Sequence, residues 1–362
     1  MGRKKVNDNT DVWYNLKAPD QDVVVSTRIR LSRNLASFPF TSNFRNDDGD
    51  RVQNIVFDAF SKLNNPDSYQ SMSLKNLDKN GSKILAERGL LGSSSATGLI
   101  TTTDGVSGCL INDKDHLKIS SFASGLDLEA PFQRVKALDD ELQQFVQFAA
   151  SRDFGYLSPS VYNTGSAMKS SLYVHLPSLS YSNEIVGFIK EIQEKGFGVS
   201  DVFGVGSLFN ASLGAYYRIF TTSSLKGNEV EQLGNIFALG KYICEFERKK
   251  RRDYADNKPT VVHNIVVRAY SLAKFSILLN LRDCIDIISC LKWGLDLGFI
   301  TGIEDFELNS LLYRVQSGHL GYLLKTSTFS FEEDIVDNPE LKEDRLRAIV
   351  LKSTVDKINF AS

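Results

Sequence analysis

The chain is poor in the residues that staple or anchor a fold. Its 362 residues include four cysteines, Cys109, Cys244, Cys284 and Cys290, none in a CxxC or Cys/His ligand spacing. That argues against a disulfide scaffold and a metal site, and casts the four as reduced core residues of a cytoplasmic protein. No apolar run approaches the roughly 20 residues needed to cross a bilayer. The start, Met1-Gly2-Arg3-Lys4-Lys5-Val6-Asn7, leads into polar sequence without the apolar stretch of a secretory leader. Neither sign of charge dominates: 42 Lys and Arg stand against 44 Asp and Glu, a net charge of -2. This balance speaks against nucleic acid and membrane partners. The basic run Arg248-Lys249-Lys250-Arg251-Arg252 lacks interleaved aromatics and reads as a solvated helix end. No repeat or low-complexity tract is evident. What remains is a length sufficient for two domains with sizeable cores.

Hydrophobic spacing supplies the elements. Residues 23–29 read as a strand, and Val52, Ile55, Val56, Ala59, Phe60 and Leu63 keep helical spacing. Turn-rich sequence follows to about residue 95. Residues 99–121 read as paired strands broken at Asp104-Gly105, a hairpin signal. Pro131 opens a long helix whose inner face is Val135, Leu138, Leu142, Phe145, Val146 and Ala149. A strand at 172–176 and a helix at 183–195 stopped by Gly196 come next. A glycine-rich loop at 203–207 and a strand at 215–221 complete the first part. Strands joined by hairpins or single long helices, without regular βαβ alternation, imply an α+β fold with a mostly antiparallel sheet flanked by helices.

The segment Asp253-Tyr254-Ala255-Asp256-Asn257-Lys258-Pro259 reads as a boundary between domains at 1–252 and 260–362. Beyond it the sequence is helical. Leu281, Cys284, Ile285, Ile288, Leu291 and Leu295 keep the three-four spacing, as do Phe306, Leu308, Leu311, Leu312 and Val315. The last helix starts with Asn338 as cap and Pro339 in its first turn, and turns Leu341, Leu346, Ile349 and Val350 inward.

Two stretches carry chemistry. In Ser26-Thr27-Arg28-Ile29-Arg30-Leu31-Ser32-Arg33-Asn34, an extended backbone sends Arg28 and Arg30 to one face. Two guanidinium forks on one face suit a polyphosphate, because each makes paired, charge-assisted hydrogen bonds to oxyanions. The second stretch, Asn163-Thr164-Gly165-Ser166-Ala167-Met168-Lys169-Ser170-Ser171, has the look of a catalytic loop without its reactive groups. Each residue also has a plain structural reading. Arg28 and Arg30 serve equally as charges that blunt an edge strand. Asp115 and His116 read as a satisfied surface pair, and His175, inside the apolar run 172–179, as a hydrogen-bonded core histidine. Lys114, Lys118 and Lys169 are ordinary exposed lysines if no nucleotide binds.

Further pieces stand in order along the chain. They are Asn112-Asp113-Lys114-Asp115-His116-Leu117-Lys118, Gly155-Tyr156-Leu157, His175-Leu176-Pro177, Gly204-Val205-Gly206-Ser207 and Trp293-Gly294-Leu295-Asp296-Leu297-Gly298. With the two stretches above, they make the chain resemble the ATP:guanido phosphotransferases over nearly its whole length. The resemblance is nearest to the bacterial protein-arginine kinases (McsB type). It implies the guanido-kinase fold followed by an all-helical C-terminal domain that dimerises. It also implies ATP with magnesium as cofactor, and protein partners such as an adaptor or a protease-chaperone component.

The departures from the family pattern fall on the chemistry. Where the family has Asn-Glu-Glu-Asp-His-x-Arg, with a catalytic Glu and a phosphate-binding Arg, this chain has Lys114 and Lys118. Where a Cys stands beside the guanidinium and an Arg holds phosphate, it has Ser160 and Lys169. Where an Arg-Gly-x-x-Gly-Glu loop gives the last Arg and the second substrate carboxylate, it has Ser200 and Val205. Every group expected to touch the guanidinium is therefore altered. Lys114 sets a cation where a cationic substrate must dock, at a cost on the order of several kcal/mol in a partly buried site. The nucleotide side keeps Arg28, Arg30, Lys118 and Lys169, so ATP is expected to bind weakly or not at all. The family's phosphoarginine-sensing Arg-Asp-x-x-Arg-Ala motif corresponds to Glu343-Asp344-Arg345-Leu346-Arg347-Ala348, with an acidic residue in its leading place.

Three functions follow from the resemblance. One is a pseudokinase kept as a scaffold, its catalytic positions Lys114, Ser160 and Val205 degenerate. Another is a working phosphotransferase that uses lysines around the nucleotide or takes an altered acceptor. A third is a regulatory subunit that binds ATP without turnover.

Overall fold

A computed structural model describes residues 13–91, 96–206, 211–225 and 227–361. Residues 1–7, read above as lacking a leader, and Ser207 of the glycine-rich loop lie outside the described residues. The strands are β1 (Val24–Arg33), β2 (Tyr69–Ser73), β3 (Gly98–Thr102), β4 (Ser107–Ile111), β5 (Leu117–Ser124), the short ribbon β6 (Ala150–Ser151) and β7 (Gly155–Tyr156), then β8 (Met168–His175), β9 (Phe197–Asp201) and β10 (Tyr216–Thr221). Apart from the ribbon they form one eight-stranded sheet in the order β2-β3-β4-β5-β1-β8-β10-β9, with every neighbour antiparallel. The hairpin at Asp104-Gly105 is present, Gly105 taking φ 68° between β3 and β4.

The helices of this part are α1 (Asp48–Ser61), α2 (Lys79–Glu87), α3 (Glu129–Leu142), α4 (Pro177–Tyr181), α5 (Ile185–Glu194) and α6 (Glu229–Asn257). Alternation along the strands sorts the sheet into two faces. Ile29 and Leu31 of β1, Leu117 and Ile119 of β5, Leu172 of β8 and Ile219 of β10 are fully buried. They share a core with Val52 of α1, Val135 of α3, Ile192 of α5 and Ile243 of α6. The residues between them point the other way, which puts Arg28, Arg30, Lys118, Lys169 and Arg218 on the opposite face.

The C-terminal part is α7 (Pro259–Phe275), α8 (Leu281–Asp296), α9 (Asp305–Arg314), α10 (Ser317–Thr326) and α11 (Pro339–Val355) around a second core. It carries one addition to the expected all-helical layout: β11 (Ile300–Thr301) pairs with β12 (Asn359–Phe360). Asn338 caps α11 by accepting from the Glu340 and Leu341 amides. The segment read as the boundary is mostly the last turns of α6. The helix is broken at Lys258 alone, where Pro259 cannot continue the backbone ladder and instead starts α7. No helix among the described residues is long and apolar enough to cross a membrane.

Other expectations are corrected. The stretch to residue 95 holds β2 and α2. The sequence hides them because β2 is a mostly exposed edge strand and the nine-residue α2 fully buries no residue, with Ile84 and Leu85 half-buried, too short an apolar pattern to read. The helix from Pro131 stops at Leu142, so that the chain can turn and drop Val146 and Phe148 into the core while Phe145 stays 42% exposed. Ile349 faces outward at 46% exposure, because α11 buries Leu346, Ala348 and Leu351 instead. Asp115 and His116 are buried. His116 accepts from the Leu35 amide at Nδ1 (3.0 Å) and donates from Nε2 to the Pro39 carbonyl (2.9 Å). His175 is a core histidine as read, its Nε2 2.8 Å from the Ser289 hydroxyl.

The run Arg248–Arg252 is also not a free helix end. Arg248 and Arg251 lie on the inner side of α6 and pair with Asp20 and Asp22 ahead of β1, and Arg251 lies 3.3 Å from Asp296 of α8. Lys292 of α8 donates to the Gln21 carbonyl (3.0 Å), and the Trp293 indole to the Ser178 hydroxyl (3.0 Å). Buried polar contacts thus bind the helical part to the sheet.

A second buried pair holds β1 itself. Arg33 and Asp139 of α3 are fully buried and joined by two hydrogen bonds of 2.8 Å, with the guanidinium 3.5 Å from the Tyr156 ring centre. Removing one partner leaves a buried charge unmatched. Asp139→Ala is expected to destabilise the fold by about 3–5 kcal/mol in urea unfolding, and a loss below about 1 kcal/mol would show that the pair contributes little.

Candidate functional site

The antiparallel register lines up the polar face strand by strand, and directly opposed residues share a face. Arg30 stands opposite Lys169 of β8 and Ser120 of β5. Arg28 stands opposite Phe122 and Ser171, and Lys118 opposite Ser32. One row further along, Tyr173 of β8, Arg218 of β10 and Ser200 of β9 are in line. Arg28, Arg30, Lys169, Ser200 and Arg218 line one cavity of about 310 Å³.

These cations are not neutralised from within. Among the described residues none of Arg28, Arg30, Lys169 and Arg218 forms an ion pair with a carboxylate. Arg28 donates to the Ser120 hydroxyl (3.2 Å) and lies over the Phe122 ring, while its Nε is buried without a partner. Burial, and then the neighbouring Arg30 and Arg218, weaken its hold on its proton. Arg30 is shifted down mainly by burial, which outweighs the pull of Asp115. Lys169 is shifted down by burial and by Arg30 and Lys114. Lys118 contacts Asp113, yet burial together with Arg30, Arg28 and Lys169 lowers it to about 7. Buried charges are ordinarily paired. A face of crowded cations with an orphaned guanidinium nitrogen fits a polyphosphate, whose oxyanions would accept from the two forks. No group of three or more His, Cys, Asp or Glu able to hold a metal ion occurs among the described residues.

A second cavity, of about 420 Å³, is lined by Phe44, Asn112, Asp113, Lys114, Ser158 and Ser160, among others. It unites two of the altered positions, Lys114 and Ser160. Lys114 is exposed, with its carbonyl accepting from the Thr41 hydroxyl (2.7 Å). The nearby carboxylates are already engaged. Asp113 holds Lys118, and Asp115 accepts from Asn34 (2.9 Å) and Ser158 (2.8 Å). Val205 does not line this cavity. It is 58% exposed near α8, where its carbonyl accepts from Arg282 (2.9 Å).

Ser200 falls beside the cations, as its motif position suggests. Arg218 was not singled out from the sequence. Its strand reads as one apolar run, and its alignment with Ser200 depends on a pairing no local pattern reveals. In the C-terminal part, Arg347 is buried and bonded to Glu343 (2.9 Å), Asp344 (2.6 Å), the Ser317 hydroxyl (2.9 Å) and the Val315 carbonyl (2.9 Å). The chain's own acidic groups occupy the guanidinium at that motif.

Comparisons with known proteins agree with this architecture. Residues 51–250 match the family model of the ATP:guanido phosphotransferase C-terminal catalytic domain. Residues 259–359 match that of the protein-arginine kinase McsB C-terminal domain. A protein-arginine kinase of Halothermothrix orenii is 29% identical over 346 residues, covering 94% of this chain and 98% of the relative. One from Clostridium kluyveri is 30% identical, covering 81% and 86%. Among solved structures, the duplicated taurocyamine kinase from Schistosoma mansoni with bound transition state analog components has a TM-score of 0.58 at 19% identity. It covers 74% of this chain and 40% of that one. Lombricine kinase has a TM-score of 0.54 at 18% identity, covering 63% and 66%. At these identities the solved structures speak for the fold.

The lowered Lys118 gives the site a pH dependence. A phosphate favours the protonated lysine, so above pH 7 binding must take up a proton and affinity for MgATP falls as pH rises from about 6.5 to about 8.5. Lys118→Arg stays charged throughout, and comparison with it cancels the nucleotide's own titration. Calorimetric titration across that window should show a steeper fall for the wild type than for Lys118→Arg; parallel curves would place Lys118 outside the site.

Proposed function

We propose, for a chain that belongs to the ATP:guanido phosphotransferase family, that it binds magnesium nucleotide on its cationic face and does not phosphorylate arginine. It then acts as a pseudokinase, a regulatory or scaffolding member of the protein-arginine-kinase branch. One observation carries the reading: among the described residues Arg28, Arg30, Lys169 and Arg218 stand without carboxylate partners, while the cavity at Lys114 and Ser160 is lined by a single carboxylate, Asp113, already engaged by Lys118. Bound ATP supplies a transferable γ-phosphoryl group. Transfer to a guanidinium also needs a carboxylate to orient the acceptor and take its proton. Asp113 and Asp115 are committed elsewhere, Val205 has no acid, and Ser160 has no thiol. Lys114 repels the cationic acceptor and favours a neutral or anionic group in its place.

The filled guanidinium of Arg347 supports the same direction. A phosphoryl group approaching it would have to displace Glu343 and Asp344, which accept two of its four hydrogen bonds, from the guanidinium. Sensing of phosphoarginine at this motif is therefore not part of the proposed role.

Self-association belongs to the reading as well. The end of α7 and the turn after it expose Leu272 (50%), Phe275 (73%), Ile277 (65%) and Leu278 (39%) side by side in sequence. Apolar groups gathered like this commonly mark an interface, and two-fold dimers are the commonest assembly. We assign this patch to a homodimer, which leaves the domain that carries Arg28 and Arg30 facing outward to protein partners.

Incubation with MgATP and an arginine-rich protein is expected to yield no acid-labile, base-stable phosphoryl product, and formation of one would overturn the reading. Lys114→Glu alone should stay inactive, because catalytic groups acting as a unit are strongly non-additive. Arg28→Ala or Arg30→Ala should each weaken MgATP by about 1.5–3 kcal/mol, the scale of a hydrogen bond to a charged group; unchanged affinity would remove the clamp. Light scattering at micromolar concentration should show a dimer that Phe275→Glu with Ile277→Glu makes monomeric; a monomeric wild type would reject the assembly.

A further inference from the structure

We infer that Arg218 is a phosphate-binding residue of this chain and supplies from β10 the cation that Ser200 no longer supplies from β9. The assignment rests on the nucleotide-binding reading above and deepens it by naming a ligand-holding residue outside the family motifs.

The geometry is a neighbouring-strand exchange. Arg218 and Ser200 are directly opposed in the β9–β10 pairing, so both side chains leave the same face. Directly opposed Cβ atoms lie about 4.5–5.5 Å apart. An arginine at either position can therefore deliver its guanidinium into the same volume. Both residues line the cavity that holds Arg28, Arg30 and Lys169. Arg28 lies two strands away across β8 and one row along, about 12 Å at ordinary strand spacing and rise, a span two extended arginines close from opposite sides.

The chemistry points to the same conclusion. Arg218 has no ion pair among the described residues, and its charge opposes the protonation of Arg28 and Arg30. A solubilising surface arginine would not be set against two other unpaired guanidinium groups, since like charges in contact repel. An oxyanion chain between them turns that repulsion into attraction. Tyr173, opposed to Arg218 on β8, keeps a buried hydroxyl with no partner, and Arg28 a buried Nε. Both residues line, together with Arg218, a smaller cavity of about 80 Å³ on the same face, so two donors are left unused beside Arg218. The fork geometry matters because a guanidinium pairs two oxygens of one phosphate, which a lysine at this place cannot.

The test titrates MgATP and, separately, inorganic tripolyphosphate into the full chain. Arg218→Ala should weaken both about ten- to hundred-fold, the span of about 1.5–3 kcal/mol for a lost charged hydrogen bond. Arg218→Lys should recover only part. The double variant Arg218→Ala with Ser200→Arg should regain most of the loss, which general charge alone would not require at that position. Lys195→Ala, an exposed cation outside the cavity, serves as the charge control and should bind like the wild type. Arg218 is exposed, so the thermal midpoint of Arg218→Ala should match the wild type and rule out misfolding. Equal affinity of Arg218→Ala and wild type, with Arg30→Ala weakened, overturns the assignment alone. A wild type that binds neither probe overturns the assignment together with the reading beneath it.

Discussion

Five like charges held on one face of one sheet are the constraint around which the rest of the molecule is arranged. The strands that carry them cannot slip. A shift of one residue in β1 would turn Arg28 and Arg30 into the apolar core and Ile29 and Leu31 out of it. The register is therefore fixed by the buried face, and the polar face inherits its alignment. Repulsion among the cations is opposed by the core behind them and by Asp113 and Asp115 at the edge, and a bound polyanion would relieve it further. The buried Arg33–Asp139 pair, at the end of β1 next to the site, ties that strand to α3.

The cavity at the cations and the cavity at Lys114 and Ser160 differ in character. One gathers donors and positive charge, with Arg28, Arg30, Lys169 and Arg218 unpaired. The other offers hydroxyls, amides and the exposed Lys114, and its lining carboxylate, Asp113, is spent on Lys118. Binding and transfer make different demands. Binding needs charge and forks, and tolerates lysine for arginine at some loss. Transfer needs an oriented acceptor and a base at bonding distance, which a single missing carboxylate can remove. On the proposed reading, losses concentrated on the acceptor side would leave a molecule suited to hold a nucleotide and present a surface.

Much of this was legible in the sequence. The strand read at 23–29 is present and runs on to Arg33, with Arg28 and Arg30 on one face as the extended backbone implies. The Asp104-Gly105 turn gave the hairpin, and the three-four spacing of 281–295 and 306–315 gave the helices of the C-terminal part. Ordered motifs placed Lys114 and Ser160 in one cavity and Ser200 beside the cations. What stayed hidden was long-range or non-periodic. Arg218 meets Ser200 only through strand pairing, the short α2 fully buries no residue and shows no stripe, and Val205 belongs to a motif yet stands away from the acceptor cavity. Arg248 and Arg251 read as solvent-facing charge because their partners, Asp20, Asp22 and Asp296, are distant in sequence.

The central claim is nucleotide binding uncoupled from transfer to arginine, and phosphorus NMR of MgATP with the full chain and an arginine-rich peptide reads both halves at once. The account expects the β- and γ-phosphate resonances to shift or broaden on adding protein, with no phosphoramidate resonance growing in over time. A growing phosphoramidate signal, or phosphate resonances untouched by saturating protein, would contradict it.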